Sequence, residues 1–357
     1  MKKLVLEPFP NLTEISIGEV LLEKVAPRGI SIIEDEALDG LLTQKYGRDN
    51  LCLRVFPPKV DLQHPEWKGT HVVECTKIQN LFAWEGRAPR IYDLAIVDGK
   101  HFAQVMDHVE PRAEAYKRIM QKYNIDLPDY GYYHKTITGS CVDGCLTDFG
   151  HLYFRDPESY QESLVGKCSP KGRNVPQQPI PELGARGIRE EGVELRASAL
   201  KLDEIDFKNK SVLDIGCAGG AFCREAVDRG AQRVVGVDNE TAGGAYELSN
   251  WLGYWNIDYL DLRLPRQYYE ITQRTGLHKF NIVLLLAVTW HAGGIPEELL
   301  RLTGDIVLFE GKRDTREEHE RTLKEHFNSV EFLGYSSEML KRAEQRRPVF
   351  RCSKRKK

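Results

Sequence analysis

The clearest functional signal in this chain is a glycine-rich turn that is followed, after one helix and one strand, by an acidic residue. The turn is Gly216-Cys217-Ala218-Gly219-Gly220, and the acid is Asp238, with Asn239 directly after it. Glycines let a backbone approach a ligand closely, and a carboxylate at the end of the next strand can accept hydrogen bonds from two ribose hydroxyls. The spacing suits a β-α-β unit, so the pattern predicts a nucleoside-binding site.

The composition of the turn separates two classes of nucleoside ligand. A dinucleotide site has the pattern G-x-G-x-x-G, which lets a helix N-terminus face a pyrophosphate, and this turn lacks that pattern. Asp214 lies just before the turn, where a carboxylate favours an amino group and a sulfonium and repels a pyrophosphate. An α/β domain with a glycine-rich turn and no ligand is the alternative interpretation.

The segment Asp214–Gly220 resembles the first motif of the class I S-adenosylmethionine (SAM) dependent methyltransferases, and Val237-Asp238 resembles their ribose-binding acid. The resemblance covers the C-terminal half of the chain. It implies that SAM is the cofactor and that the residues contacting SAM in this region are Asp214, Gly216, Cys217, Ala218, Gly219, Asp238 and Asn239.

Strand and helix patterns alternate through the C-terminal half. The strand candidates are residues 211–215, 233–237, 256–259, 280–286, 305–310, 329–333 and 348–352. This alternation predicts an α/β fold with a doubly wound, mostly parallel, seven-stranded, Rossmann-like sheet. The near-continuous apolar run at 280–286 is typical of a central strand covered on both faces. The resemblance adds that the strand at 348–352 runs antiparallel.

The reacting groups of an open α/β sheet gather at the carboxyl ends of its strands. Asp261 and Leu262 follow the third strand, where the family binds adenine; a surface loop is the alternative. Ala287 follows the fourth strand and begins a segment that resembles the fourth motif of family members with V-x-x-H there. His291 is the residue of this segment that titrates near neutral pH. We expect it to act as a general base, with a substrate-positioning role as the alternative.

The acceptor is less well defined by the sequence. Trp290, Glu310 and Lys312 are candidates for the acceptor pocket, although Trp290 can fill core and the two charges can belong to an ordinary strand end. The fourth strand end lacks both the Pro-Pro-aromatic motif used on planar amines and the Pro-Cys nucleophile used on cytosine. The Lys-Asp-Lys-Glu set of RNA 2′-hydroxyl methylation has Asp where Thr289 and His291 stand here. An oxygen of a small molecule or glycan is therefore favoured over RNA, and a SAM-binding scaffold without catalysis is a third hypothesis.

Composition sets outer limits on the interpretation. The 357 residues suffice for two domains, and 41% apolar and 29% charged residues are ordinary values for a globular protein. A net charge of −3 provides no overall attraction to nucleic acid, although the last residues of the chain are locally basic. No apolar run is long enough to span a membrane, and the eight cysteines form no framework. We expect reduced thiols and a cytoplasmic location; the sequence does not indicate an oligomeric state.

A proline-rich stretch divides the chain. Residues 167–187 contain four prolines and few large apolar side chains, which predicts a linker. Residues 1–166 then form a separate α+β domain that binds substrate or a partner, and residues 188–357 form the methyltransferase domain.

Parts of the N-terminal half resemble a degenerate protein-kinase-like fold. Leu51–Arg54 matches the strand that carries a lysine, Glu74 opens a helix, and Thr147–Gly150 matches the DFG metal motif. Arg54 replaces the lysine and no large lobe follows, so a working kinase is disfavoured and an unrelated α+β domain is the leading interpretation. The spacing of His134, Cys141, Cys145 and His151 is not a standard zinc arrangement, and no metal is expected.

Overall fold

A computed structural model divides the chain into two compact units, Met1–Pro157 and Glu158–Lys357. The structure describes residues 13–17, 31–33, 35–56, 72–86, 88–98, 101–107, 122–123, 125–126, 141–142, 145–146, 153–154, 156–188, 192–288, 295, 297–311, 316–336 and 347–356. No helix in these ranges is both long and apolar enough to cross a membrane.

Within the described residues, the first unit contains a five-stranded mixed sheet and two helices. In spatial order the strands are β1 (Thr13–Ile15), β4 (Ile91–Val97), β5 (His101–Asp107), β3 (Leu51–Val55) and β2 (Ser31–Ile33). Only the β1–β4 pair is parallel. The helices are α1 (Glu36–Tyr46) and α2 (Val72–Trp84). Two short antiparallel pairs join β6 (Ile125–Asp126) to β9 (Tyr153–Phe154) and β7 (Cys141–Val142) to β8 (Cys145–Leu146).

Local signals explain several of these elements. The side chain of Asp35 accepts a hydrogen bond from the Ala37 N–H at 3.0 Å and caps α1, which ends at Gly47 in the left-handed conformation. All residues of β3 are buried, as a central strand requires. Strand β3 contains Leu51–Arg54 and helix α2 contains Glu74, so these two positions are in a strand and a helix as the kinase-like interpretation expects. Among the remaining residues of that interpretation and of the metal check, Thr147–Gly150, His134 and His151 lie outside the described residues.

The second unit contains the expected α/β sheet of seven strands. Its spatial order is β12 (Ile257–Asp261), β11 (Arg233–Asp238), β10 (Ser211–Ile215), β13 (Phe280–Leu286), β14 (Thr303–Glu310), β16 (Arg347–Arg355) and β15 (Phe327–Ser336). The first five strands are parallel, and β16 runs antiparallel to both β14 and β15. The predicted doubly wound, Rossmann-like sheet is confirmed, including its antiparallel last strand.

Helices separate most of these strands. They are α3 (Pro157–Lys167), α4 (Val193–Ala199), α5 (Ala221–Asp228), α6 (Ala242–Leu252), α7 (Tyr268–Thr275), α8 (Glu297–Arg301) and α9 (Arg316–His326). The core lies between sheet and helices, with Leu213, Val235 and Val283 fully buried. Because β10 to β14 are parallel, their carboxyl ends open onto one edge of the sheet.

The proline-rich stretch belongs to the second unit, whereas its composition predicts a linker from 167 to 187. Glu247 on α6 anchors the segment: it accepts a hydrogen bond from the Tyr160 hydroxyl at 2.9 Å and pairs with the Lys167 ammonium at 2.5 Å. The backbone also packs closely, since a Cβ on Gly244 would lie 2.1 Å from the Lys167 carbonyl oxygen. Polar anchors and backbone packing fix this segment without the long apolar side chains by which core segments are recognised in a sequence.

Candidate functional site

The glycine-rich turn after β10 is held in a strained but well-supported conformation. Gly216 and Gly220 have φ of 73°, and Ala218 has φ of 48°. The backbone N–H groups of Gly216 and Cys217 donate to the Val237 carbonyl at 2.8 and 3.1 Å, which ties the turn to β11. A Cβ on Gly216 would lie 2.0 Å from the Val288 side chain. Glycine is therefore required at this position by both the backbone angle and the available space.

Asp238 joins the end of β11 to that turn. One carboxylate oxygen accepts backbone N–H bonds from Glu240 at 2.9 Å and Thr241 at 3.0 Å, and the other accepts one from Ala218 at 3.2 Å. These three donors fix the direction of the carboxylate. A carboxylate has about four lone-pair sites, so the oxygen that Ala218 contacts can still accept a hydroxyl proton of a ribose.

A cavity of about 650 Å³ opens above the carboxyl ends of the parallel strands. This volume falls within the roughly 300–1,000 Å³ range of small-molecule sites. The walls consist of the glycine-rich turn, Asp238, apolar side chains and several basic side chains. The lining residues are Pro170, Lys171, Arg173, Gln177, Ile215, Gly216, Ala218, Val237, Asp238, Asn239, Glu240, Thr241, Leu262, Leu264, Leu286, Ala287, Val288 and Arg347.

The cavity brings together six of the ten residues for which the sequence predicts contact with the cofactor: Gly216, Ala218, Asp238, Asn239, Leu262 and Ala287. The other four lie elsewhere in the unit. Asp261 is exposed at the end of β12. Gly219 faces Cys168, whose Cβ would lie 3.4 Å from a Cβ on the glycine.

Asp214 and Cys217 are buried beneath the turn rather than in the cavity wall. The Cys223 thiol donates to the Asp214 carboxylate at 3.5 Å, and burial raises the pKa of Asp214 to about 7. Burial also raises the pKa of the Cys217 thiol well above its ordinary value. A covered carboxyl and a covered thiol support the turn from below, so the expected contact of Asp214 with a cofactor amino group finds no support in the geometry.

Glu310 does not line the cavity, in contrast to the acceptor-pocket hypothesis. Its carboxylate is 1% exposed, forms an ion pair with Arg196 of α4 and accepts a hydrogen bond from the Ser336 hydroxyl at 2.6 Å. The alternative of a structural strand-end charge fits this geometry. The remaining acceptor candidates, Trp290, His291 and Lys312, lie outside the described residues.

Several cavity residues escape the sequence interpretation. Lys171, Arg173 and Gln177 lie in the stretch predicted as a linker, and Arg347 opens β16 far along the chain from the turn. Lys171 and Arg173 can be assigned to the site only once the proline-rich stretch is known to pack on the sheet. Within the described ranges, no three His, Cys, Asp or Glu side chains come together as a metal site.

The described residues suit SAM as a ligand. Asp238 provides a fixed anion for ribose hydroxyls, and Leu262, Leu264 and Val288 provide apolar walls for an adenine ring and a methyl-bearing carbon chain. Gly216 has no side chain, and a Cβ at this position of the cavity wall would clash with the Val288 side chain. Such an arrangement can bind a nucleoside.

Comparison with known proteins agrees with this site. Residues 196–285, which include the turn, Asp238 and Leu262, match the model of the FtsJ-like methyltransferase family. A search among curated proteins finds no match.

Solved structures also resemble the chain. A putative SAM-dependent methyltransferase from Streptococcus mutans is 14% identical over 46% of this chain and 49% of its own, with a TM-score of 0.36. The ribosomal protein L11 methylase of Lactobacillus delbrueckii subsp. bulgaricus is 19% identical over 46% of this chain and 79% of its own, with a TM-score of 0.33. The bifunctional kinase-methyltransferase WbdD is 19% identical over 54% of this chain and 46% of its own, with a TM-score of 0.42. The chain thus spans about half the length of the first of these structures.

The family match falls on the part of the second unit that contains the glycine-rich turn and Asp238, and the sheet around it has the expected strand directions. The match and the fold together indicate a SAM-dependent methyltransferase with SAM as cofactor, similar to the class I enzymes.

Proposed function

We propose that the protein transfers a methyl group from SAM to an oxygen of a small molecule or glycan. The observation that carries the proposal is the cavity of about 650 Å³ beside Asp238 and the glycine turn. A cavity of this kind surrounds a compact ligand, whereas a long polymer is bound on an extended surface. The net charge of −3 agrees with a substrate other than bulk nucleic acid.

The protein's part in the reaction is to bind, orient and dehydrate the reactants. SAM supplies a methyl group whose bond to sulfur breaks as the acceptor oxygen bonds to carbon, so that S-adenosylhomocysteine, the methylated acceptor and a proton result. Asp238 fixes the ribose, and Leu264 and Val288 exclude water from one side of the cavity. Holding the reacting atoms about 3 Å apart and in line accelerates such a displacement strongly.

His291 is our candidate for the group that removes the acceptor proton. It follows β13, at whose carboxyl end Ala287 and Val288 line the cavity. If it acts as base, the rate rises with pH through an apparent pKa of about 6.5, and His291→Ala lowers the rate by roughly 10²–10⁴-fold with little change in SAM affinity. His291→Asn keeps a hydrogen bond without titration. A near-normal rate with an unchanged pH profile in that variant would reduce His291 to a positioning residue.

The methyl-transfer proposal is tested by incubating the protein with SAM labelled in its methyl group and with a cell extract. We expect a labelled small molecule or glycan fragment, and titration with S-adenosylhomocysteine should show one binding site. Binding without any labelled product would favour the scaffold hypothesis. Labelled RNA, with an RNA affinity that falls steeply as salt rises, would favour the RNA alternative.

We also propose that residues 1–166 form a separate domain that binds substrate or a partner. The first unit supports this proposal with its own apolar core, which includes Leu42, Leu53 and Val105. Expressing residues 1–157 alone tests it: a cooperative unfolding transition is expected, and a chain that stays unfolded would contradict an independent domain.

A further inference from the structure

Three basic side chains line the methyltransferase cavity. Lys171 and Arg173 come from the proline-rich stretch, and Arg347 is the first residue of β16. The stretch is held in place near the cavity, since the Lys171 backbone N–H donates to the Glu240 carboxylate at 3.2 Å. Lys171 and Arg173 are exposed, and neither side chain has an ion-pair partner within the described part of the chain.

Strand order places Arg347 away from the ribose end of the cavity. Asp238 ends β11, which lies on one side of β10, whereas β13, β14 and β16 follow in order on the other side. Neighbouring strands lie about 4.8 Å apart, so β16 is about 10 Å from β13. The start of β16 lies at the carboxyl edge, because Val349 pairs with Glu310 and the Gly311 N–H donates to the Pro348 carbonyl at 2.8 Å. Arg347 therefore lines the cavity on the β14 side, away from Asp238.

The charge balance of the cavity favours an anion beside the cofactor. Among the described lining residues, the three cations outnumber the two acids, Asp238 and Glu240. Bound SAM adds a sulfonium and an ammonium and only one carboxylate, so the excess of positive charge grows on binding. The whole chain carries a net charge of −3, which shows that the basic lining is a local feature and not a general property.

We propose that the methyl acceptor carries a phosphate group, which Arg173 and Arg347 bind while the neighbouring oxygen receives the methyl group; this rests on the proposed function. Guanidinium groups match phosphate with paired, charge-assisted hydrogen bonds, and Lys171 adds a point charge at the rim. The cavity volume of about 650 Å³ fits a phosphorylated small molecule or glycan end. A polyanion such as RNA is bound through many basic side chains, and the net charge of −3 gives the chain no overall attraction to it.

The test uses the full-length protein saturated with S-adenosylhomocysteine and measures binding of glucose 6-phosphate, glucose and inorganic phosphate by calorimetry. We expect the two phosphate probes to bind and glucose to bind at least tenfold more weakly. Arg173→Gln and Arg347→Gln should each weaken the phosphate probes about tenfold without changing the affinity for S-adenosylhomocysteine more than about threefold. Arg186→Gln is the matched control, because Arg186 is exposed in the same stretch and does not line the cavity.

The outcomes separate the two proposals. Absence of S-adenosylhomocysteine binding would contradict the proposed function itself. Normal binding of S-adenosylhomocysteine together with equal affinities for glucose and glucose 6-phosphate would overturn the phosphate inference alone. The inference is also wrong if Arg173→Gln and Arg347→Gln bind the phosphate probes as Arg186→Gln does. Transfer RNA that binds far more tightly than glucose 6-phosphate, with a steep salt dependence, would replace the proposal with an RNA acceptor.

Discussion

Removing the carboxylate of Glu310 should destabilise the methyltransferase domain rather than impair acceptor binding. Glu310 is 1% exposed and Arg196 is 5% exposed, so both charges are cut off from water. Ser336 donates to the second oxygen of the carboxylate at 2.6 Å, and the Arg196 guanidinium lies 4.8 Å from the centre of the Phe222 ring. Arg196 and Ser336, which contact the carboxylate, are thus themselves buried in this unit.

The expected loss of unfolding free energy follows from the Arg196 charge that Glu310→Ala leaves unpaired. An uncompensated buried guanidinium typically costs about 3–5 kcal/mol of unfolding free energy. Glu310→Gln keeps an acceptor for the Ser336 hydroxyl and removes only the charge, so it should cost less. The double variant Arg196→Met with Glu310→Leu removes both charges and should recover most of the loss, because paired replacement of a buried ion pair by apolar side chains is often nearly neutral.

Urea unfolding measures these differences, with the free energy extrapolated linearly to water. Glu297→Ala is the control, because Glu297 pairs with Arg301 at 3.5 Å while both side chains are about two-thirds exposed or more. That variant should change stability by less than about 1 kcal/mol. A loss below about 1 kcal/mol for Glu310→Ala, or a loss of turnover without a loss of stability, would refute the structural role of Glu310.

Two further predictions concern the acids around the cofactor turn. Asp238→Ala should weaken S-adenosylhomocysteine binding by about 1.5–3 kcal/mol in calorimetry, because a hydrogen bond from the ribose to a charged group is lost. Asp261→Ala should leave the affinity nearly unchanged, since Asp261 is exposed; equal affinities of the two variants would contradict the assignment. Because burial raises the pKa of Asp214 to about 7 from 3.8, the folded state binds more protons than the unfolded chain, and its stability falls as pH rises from about 4 to 7. Asp214→Asn should remove that fall and stabilise the domain at pH 8 by at most about 4 kcal/mol; parallel stability curves for the variant and the wild type would sink this explanation.

Much of the methyltransferase domain was predictable because its signals are local. The run at Phe280–Leu286 is apolar throughout, and a central parallel strand buries both faces. The turn at Gly216–Gly220 and the acid Asp238 belong to one β-α-β unit, whose geometry fixes the distance between them. Spacing along the chain therefore converted directly into proximity in space, and both features line the cavity as expected.

Residues that depend on long-range packing were assigned less well. Glu310 stands at a strand end in the sequence, where an acceptor contact is a reasonable hypothesis, but Arg196 reaches it from a helix more than one hundred residues away. Asp214 immediately precedes the cofactor turn, yet β10 turns its carboxyl towards Cys223 beneath that turn. In both cases the direction of the side chain depends on partners that no local pattern specifies.

The sequence by itself determined the glycine-rich turn and acid of the cofactor site, the alternation of strands and helices that makes a mostly parallel sheet, and methyl transfer as the class of reaction. Only the tertiary structure decided which charges face the cavity. Lys171 and Arg173 lie in a stretch whose prolines resemble those of a linker, and Arg347 is distant from it along the chain. Glu247 anchors the stretch through Tyr160 and Lys167, and the sheet brings β16 to the same edge. Lys171, Arg173 and Arg347 line one cavity only once the chain is folded, because folding alone sets the distances between such distant segments.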